Sequence, residues 1–226
     1  MLYDSATESL WEQLSATAIQ GPRMGESLTL VPSLFTTLGE WRDAYPETRV
    51  LCPPPESGTV HGPVTFPYGL DRYGAYRASR GVAPAEAPPE DARLHPKTRV
   101  VGVVADGEVR AYPYPAVESA GFVEKRVGDR PVVVVVGPAR SVSALSGSLF
   151  AYDRRIGGRT LLFAGTDERG VLRAGGSRWD VTTGRALDGY YRGQRLRQAN
   201  AVPPLFWFAW VERHPDTSIY RMDDGR

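Results

Sequence analysis

The chain has 226 residues, 42% of them apolar and 23% charged, and a net charge of +1. That is enough for one large core or two smaller ones, but no apolar run nears the ~20 residues that cross a bilayer. The near-zero charge argues against a dedicated nucleic-acid binder, which needs a clear excess of Lys and Arg to meet phosphates.

Two further bounds come from single residues. Cys52 is the one cysteine, so neither an internal disulfide nor a thiolate metal site follows from it. Its run Cys52-Pro53-Pro54-Pro55 reads as the start of a loop. Residues 1–20 lack a basic start, an apolar block and a small-residue cleavage site, and no signal peptide is expected in this chain. Lys97 and Lys125 are the only lysines; every other basic side chain is arginine. A genome rich in G and C accounts for that bias.

In chain order, a strand carrying Trp11 leads through a Gly turn into a second extended segment. A short helix is expected from about Ser33 to Tyr45, with Leu34, Leu38 and Trp41 on its apolar side, stopping before Pro46. From Pro53 to Pro96 prolines crowd and periodicity fades. Tyr68, Tyr73 and Tyr76 give that stretch something to bury, so it reads as an ordered but irregular connection. Val100 to Val104 and Val109 to Tyr112 flank Asp106-Gly107, a tight-hairpin signal. Val132 to Val136 is a β-branched run suited to a strand buried on both faces. Phe150 to Ile156 and Arg159 to Phe163 flank Gly157-Gly158, a second hairpin, and Asp167 to Gly170 is a turn. Gly170 to Gly176 matches no phosphate loop and reads as turns. A strand with Trp179 follows, then a helix from Leu205 to His214, stopping before Pro215.

The last part of this path repeats the first. Ser9-Leu10-Trp11-Glu12 recurs as Ser177-Arg178-Trp179-Asp180, and Ala18-Ile19-Gln20-Gly21 as Ala186-Leu187-Asp188-Gly189, with Gly25 matching Gly193. Val31-Pro32 matches Val202-Pro203. Trp41 through Thr48 matches Trp210 through Thr217 with a small gap between blocks. The expected fold is therefore mainly β, an antiparallel meander with short helices in two related units, the first incomplete. The divisions are 1–52 for the second half of a first unit, 53–96 for the connection, and 97–222 for a complete second unit. A late gene start, a cut from a longer protein, or a genuine short form each accounts for the missing strands.

Several of these blocks together resemble the domain of unknown function 3179 family. Carrying the resemblance are Met1-Leu2-Tyr3-Asp4 through Trp11, Tyr68-Gly69 through Tyr76, Val101-Gly102-Val103 through Pro113, Phe150 through Arg155, Trp207-Phe208-Ala209-Trp210, and His214-Pro215-Asp216-Thr217. The resemblance implies a bacterial or archaeal protein, often exported or lipid-anchored, of no settled activity. It also implies a Cys-Pro-x-Cys and a Trp-His-Glu motif in many members, side chains suited to copper or zinc. Here the strand ending at Val136 runs into Gly137-Pro138-Ala139-Arg140-Ser141, and the other motif's place is held by Glu118-Ser119-Ala120-Gly121. Neither retains the soft ligands, so no metal and no cofactor is expected.

The remaining candidates are weighed against packing. His61, His95 and His214 match no metal-ligand spacing; His214, ending a helix, would suit the helix dipole if charged. No Gly-x-Ser-x-Gly elbow supports a Ser-His-Asp triad. Asp4, Glu8, Glu12, Asp153, Asp180 and Asp188 could furnish the carboxylate pair of a glycosidase, though Glu12 and Asp180, being repeat-related, read better as sharing a turn. Trp11, Trp179 and the Trp207–Trp210 group could stack on sugars, with core packing the favoured reading. Ten arginines against four acids between Arg154 and Arg197 could hold an anion, with solvation or pairing the commoner fate. The candidate ligand-binding residues are Arg154, Arg155, Trp179, Asp180 and Trp11. The leading expectation is a non-catalytic binding or scaffold module for a small polar or anionic ligand. The alternatives are part of a metal-binding or redox protein, and a hydrolase or binding protein for a carbohydrate or anion.

Overall fold

The computed structural model describes residues 1–31, 33–50, 74–82, 90–138, 148–200 and 202–222. Cys52, His61, Tyr68 and Tyr73 lie outside the described residues.

The chain opens with β1 (Leu2–Asp4), β2 (Ser9–Glu12) and β3 (Thr17–Gln20), an antiparallel sheet in that order. Helix α1 (Leu38–Ala44) follows. Its start is set by a capping box: the Thr37 hydroxyl accepts from the Glu40 amide, and the Glu40 carboxylate accepts from the Thr37 amide. That closure corrects the expected start at Ser33, because residues 33–37 lead into the cap and are not helical. A five-residue helix, α2 (Gly74–Ala78), falls in the stretch read as irregular.

The second part begins with β4 (Arg99–Ala105) and β5 (Glu108–Pro113). Asp106 and Gly107 join them with φ of 50° and 79°, the paired left-handed residues that match a hairpin's twist. Helix α3 (Tyr114–Ala120) comes next and is absent from the expected meander. It starts on a proline in its first turn and stops at Gly121, whose φ is 76°.

Strands β6 (Phe122–Val127), β7 (Arg130–Val136) and β8 (Leu149–Asp153) then form an antiparallel sheet with β7 in the middle. Alternation along β7 sends Val132 and Val134 into one core cluster and Val133 and Val135 into another, so both faces are buried.

Strands β9 (Arg155–Ile156) and β10 (Arg159–Thr160) pair across Gly157-Gly158. This hairpin is shorter than expected, since residues up to Asp153 are spent pairing with β7. Then β11 (Ala164–Gly165), β12 (Val171–Ala174) and β13 (Ser177–Asp180) form a third antiparallel sheet. Residues 170–176 are thus not all turn: a strand runs between turning glycines.

Last come β14 (Leu205–Phe206), α4 (Trp207–Arg213) and β15 (Ser218–Ile219). Leu205 and Phe206 pair with Val100 and Arg99, which delays the helix to Trp207. Strand β15 runs parallel to β5, the exception to an otherwise antiparallel pattern. The fold is mainly β, with four short helices among the described residues.

Residues 8–28 and 176–196 make the same bonds at the same spacing. Ala18 N donates to Glu26 O at 2.8 Å, and Ala186 N to Gln194 O at 2.9 Å; Leu28 N donates to Ala16 O at 2.8 Å, and Leu196 N to Gly184 O at 2.9 Å. The Ser9 hydroxyl accepts from Arg23 N, and that of Ser177 from Tyr191 N. Gly21 and Gly189 both need positive φ, and a Cβ at either would strike the carbonyl oxygen of Glu8 or Gly176, at 2.7 and 2.0 Å. The helices agree as well: Trp41 Nε1 donates to Thr48 Oγ1 at 2.8 Å, and Trp210 Nε1 to Thr217 Oγ1 at 3.1 Å.

The two parts touch through α1. Glu40, itself buried, accepts from the Ser148 hydroxyl at 2.8 Å at the start of β8. A Cβ on Gly137 would lie 2.7 Å from the same carboxylate.

Candidate functional site

Just past β8, Arg154 is 8% exposed. Its Nη1 donates to Glu124 Oε1 at 3.1 Å and to Leu161 O at 2.7 Å, while Phe163 N donates to the same Glu124 oxygen at 2.8 Å. The pair thereby pins the segment 161–163 to β6. Its Nε is buried with no hydrogen-bond partner among the described residues. Beside it lies a cavity of about 550 Å³ whose walls include Phe122, Lys125, Phe163, Tyr220 and Met222. Ser119 and Ala120, at the end of α3, also line it.

Arg155 does not join Arg154. It grips Asp153 through Nε at 3.1 Å and Nη2 at 2.9 Å, and Arg197 reaches the same carboxylate at 3.1 Å. Burial pushes the Asp153 pKa up, but the hydrogen bonds from Arg155 and Arg197 outweigh it and hold the group below the usual carboxylate range. Part of the arginine excess is thus committed to one buried Asp.

Trp179, 1% exposed, is core: it packs on Phe163 and Tyr191 at ring distances of 6.2 and 5.6 Å and donates to Ala174 O. Asp180 caps the turn after β13, its Oδ1 accepting from Thr183 N at 2.7 Å and Thr183 Oγ1 at 2.6 Å. Glu12 does the same after β2, accepting from Leu14 N and Ser15 N. Trp11 is buried in the first sheet. Trp179 and Asp180 flank a gap of about 10 Å³, too small for any ligand larger than water. Of the five candidates, Arg154 is the one that faces a cavity of ligand size among the described residues.

A glycosidase acid needs a raised pKa. Asp4 is lowered by hydrogen bonds from Thr7 and Ala6, Glu12 by those from Ser15 and Leu14, and Asp188 by its pairing with Arg178. With Asp153, that makes four of the six candidates shifted in the wrong direction for an acid.

Three buried charges escaped the sequence reading. Glu40 is described above. Lys97 is fully buried; its ammonium donates to the carbonyls of Tyr76, Ser79 and Gly81 and to the Ser79 hydroxyl, and sits 3.6 Å from the Tyr76 ring centroid. It closes the end of α2. Arg99 lies between the Phe35 and Phe206 rings, 4.1 and 5.8 Å away, with Nε and Nη1 unpartnered among the described residues. Burial, with nearby Arg77 adding to it, lowers its pKa to about 10. Lys97 and Arg99 open a valine run, and a charge at a strand's start ordinarily signals exposure. His214 caps α4, and burial and then Arg213 lower its pKa, which disfavours the charged ring that would suit the helix dipole.

Among the described residues, no group of three or more His, Cys, Asp or Glu could hold a metal ion, and no helix is long and apolar enough to cross a membrane. The architecture defines a β-rich protein of several small sheets, with a cavity of mixed polar and apolar walls beside β6. Its family is defined by sequence: the profile of the protein of unknown function family DUF3179 matches residues 1–217, and the chain belongs to that family. No curated protein and no solved structure matches the chain.

Proposed function

We propose that this chain is a non-catalytic binding module, and that it takes a small ligand with an anionic end and a flat apolar flank in the cavity at Arg154. The observation that carries the reading is the cavity wall itself. Lys125 and the nearly buried Arg154 supply positive charge, Glu124 in the same wall balancing part of it through its pair with Arg154, and Phe122, Phe163 and Tyr220 supply rings. A carboxylate or phosphate suits the first group and an aromatic or sugar face the second.

Four of the six candidate carboxylates, Asp4, Glu12, Asp153 and Asp188, are held as carboxylates by existing partners, which favours binding over hydrolysis through them. The resemblance to the family adds a second support. It places the Trp-His-Glu motif at Glu118–Gly121, and Ser119 and Ala120 of that stretch line this cavity.

Thermal shift with benzoate and with inorganic phosphate tests the proposal. Benzoate at millimolar concentration should raise the melting temperature, with phosphate giving less. The Arg154→Lys chain, which keeps the charge near Glu124 but loses the fork, should lose most of the benzoate effect. No shift with either probe, or an equal shift in Arg154→Lys, refutes it.

A further inference from the structure

The two Trp-bearing segments share their bonds but not their cover. Leu196 is 4% exposed and its match Leu28 is 54%; Val171 is 7% and its match Tyr3 is 62%. Trp207, first residue of α4, is 0% exposed, and Leu38, first residue of α1, is 57%. Leu187 and Ile19, also a matched pair, are alike at 41% and 43%. The inequality therefore falls on particular positions and is not a general difference between the segments.

The source of the cover is plain for Leu196 and Trp207. Val133 and Val135 of β7 and Phe150 and Tyr152 of β8 share a core cluster with Trp179 and Leu196. Val100 of β4 and Ala111 of β5 share another with Trp207 and Trp210. Among the described residues, β1, β2 and β3 form a sheet with no fourth strand.

We infer that Leu28 and Leu38 mark an interaction surface for a β-sheet built like residues 99–153. The repeat defines the partner's chemistry: a β-branched, aromatic sheet face where β7 and β8 lie in the second segment, and a small-residue strand where Gly102 admits Trp210. A second copy of the chain does not meet this need, because its own β7 and β8 already cover its own Trp179 and Leu196. Burying both side chains supplies a hydrophobic driving force for the docking.

The test joins a second copy of residues 97–169 ahead of Leu2, where the repeat's spacing makes the chain continuous. The extended protein should melt in one transition several degrees above the 226-residue chain. Leu28→Asp should lower that midpoint by more than about 5 °C, yet move the 226-residue chain by less than about 1 °C. Ile19→Asp should change neither. An extended protein that is insoluble, or melts in two steps with the original midpoint unchanged, overturns the inference. The 226-residue chain decides independently. If Leu28→Asp destabilises it as strongly as Leu196→Asp, or disperses a dimer seen by sedimentation, the surface is already occupied and the inference fails.

Discussion

Gly102→Ala isolates the packing of α4 on the sheet. Glycine in a strand interior is ordinarily the weaker choice by roughly 0.5–1 kcal/mol, so propensity alone predicts stabilisation. Geometry predicts the opposite. A Cβ at residue 102 would lie 1.9 Å from Trp210 Cη2 and 2.2 Å from Cζ2 and Cζ3, whereas carbon contacts settle at about 3.5–4.0 Å. The ring would have to retreat by roughly 1.5 Å, on that contact distance. It is 3% exposed, tied through Nε1 to Thr217, and lies tilted against the His214 ring with centroids 4.3 Å apart. Overpacking of this kind costs about 1–3 kcal/mol, and expelling the tryptophan altogether about 3–5. The cheaper route governs, so a loss of ~2–3 kcal/mol is expected, or about 5–10 °C in a chain of this length. Urea unfolding of Gly102→Ala, Trp210→Leu and the double variant measures it. Trimming the ring should recover part of the loss, a coupling of about 1 kcal/mol or more. A Gly102→Ala midpoint at or above that of the parent chain refutes the reasoning.

Other expectations follow from single contacts. The lowered pKa of His214 means that the unfolded chain binds a proton before the folded one does. Its contribution is thus fully present above about pH 6.5 and fades as pH falls through the folded value. Melting from pH 7 to 5.5 should show that decline, and His214→Tyr, copying Tyr45 at the matching position, should flatten it. Glu40→Ala should cost about 2 kcal/mol in urea unfolding, since it removes the α1 cap and strands the Ser148 hydroxyl; a loss below ~0.5 kcal/mol contradicts that. Glu8 holds a φ of 53° where its match is Gly176, so Glu8→Gly should leave stability unchanged or raise it by up to ~1 kcal/mol, and a clear drop in the melting midpoint would count against it. Arg99→Met should be neutral or stabilising at low salt, because it removes a buried guanidinium with idle donors; a loss of ~3 kcal/mol or more would mean that an anion already pairs with it.

Much of the fold is legible because its signals are local. Asp106-Gly107 and Gly157-Gly158 are hairpin turns by virtue of their own φ preference, and Val132 to Val136 could bury both faces only as a central strand. What stayed hidden depends on distant partners. Leu205 and Phe206 look helical with the apolar run that follows them, and only pairing with Arg99 and Val100 makes them a strand. Pro113 to Gly121 carries proline at one end and glycine at the other, the marks of a short helix, but its seven residues are too few for periodicity to speak. The site was less legible than the fold. Arg154 could be singled out only as one of ten arginines, since its partner Glu124 lies thirty residues away. Leu38, read as part of a helix's apolar stripe, is exposed, and helical spacing alone does not say whether a stripe has a partner.

Native-state hydrogen exchange tests most directly whether two alike segments differ only in what covers them. Amides of Ala186, Gly193 and Leu196 should exchange solely through global unfolding. Those of Ala18, Gly25 and Leu28, with matching bonds of 2.8 Å, should open locally and exchange faster at the same denaturant concentration. Equal protection in the two sets would contradict the account.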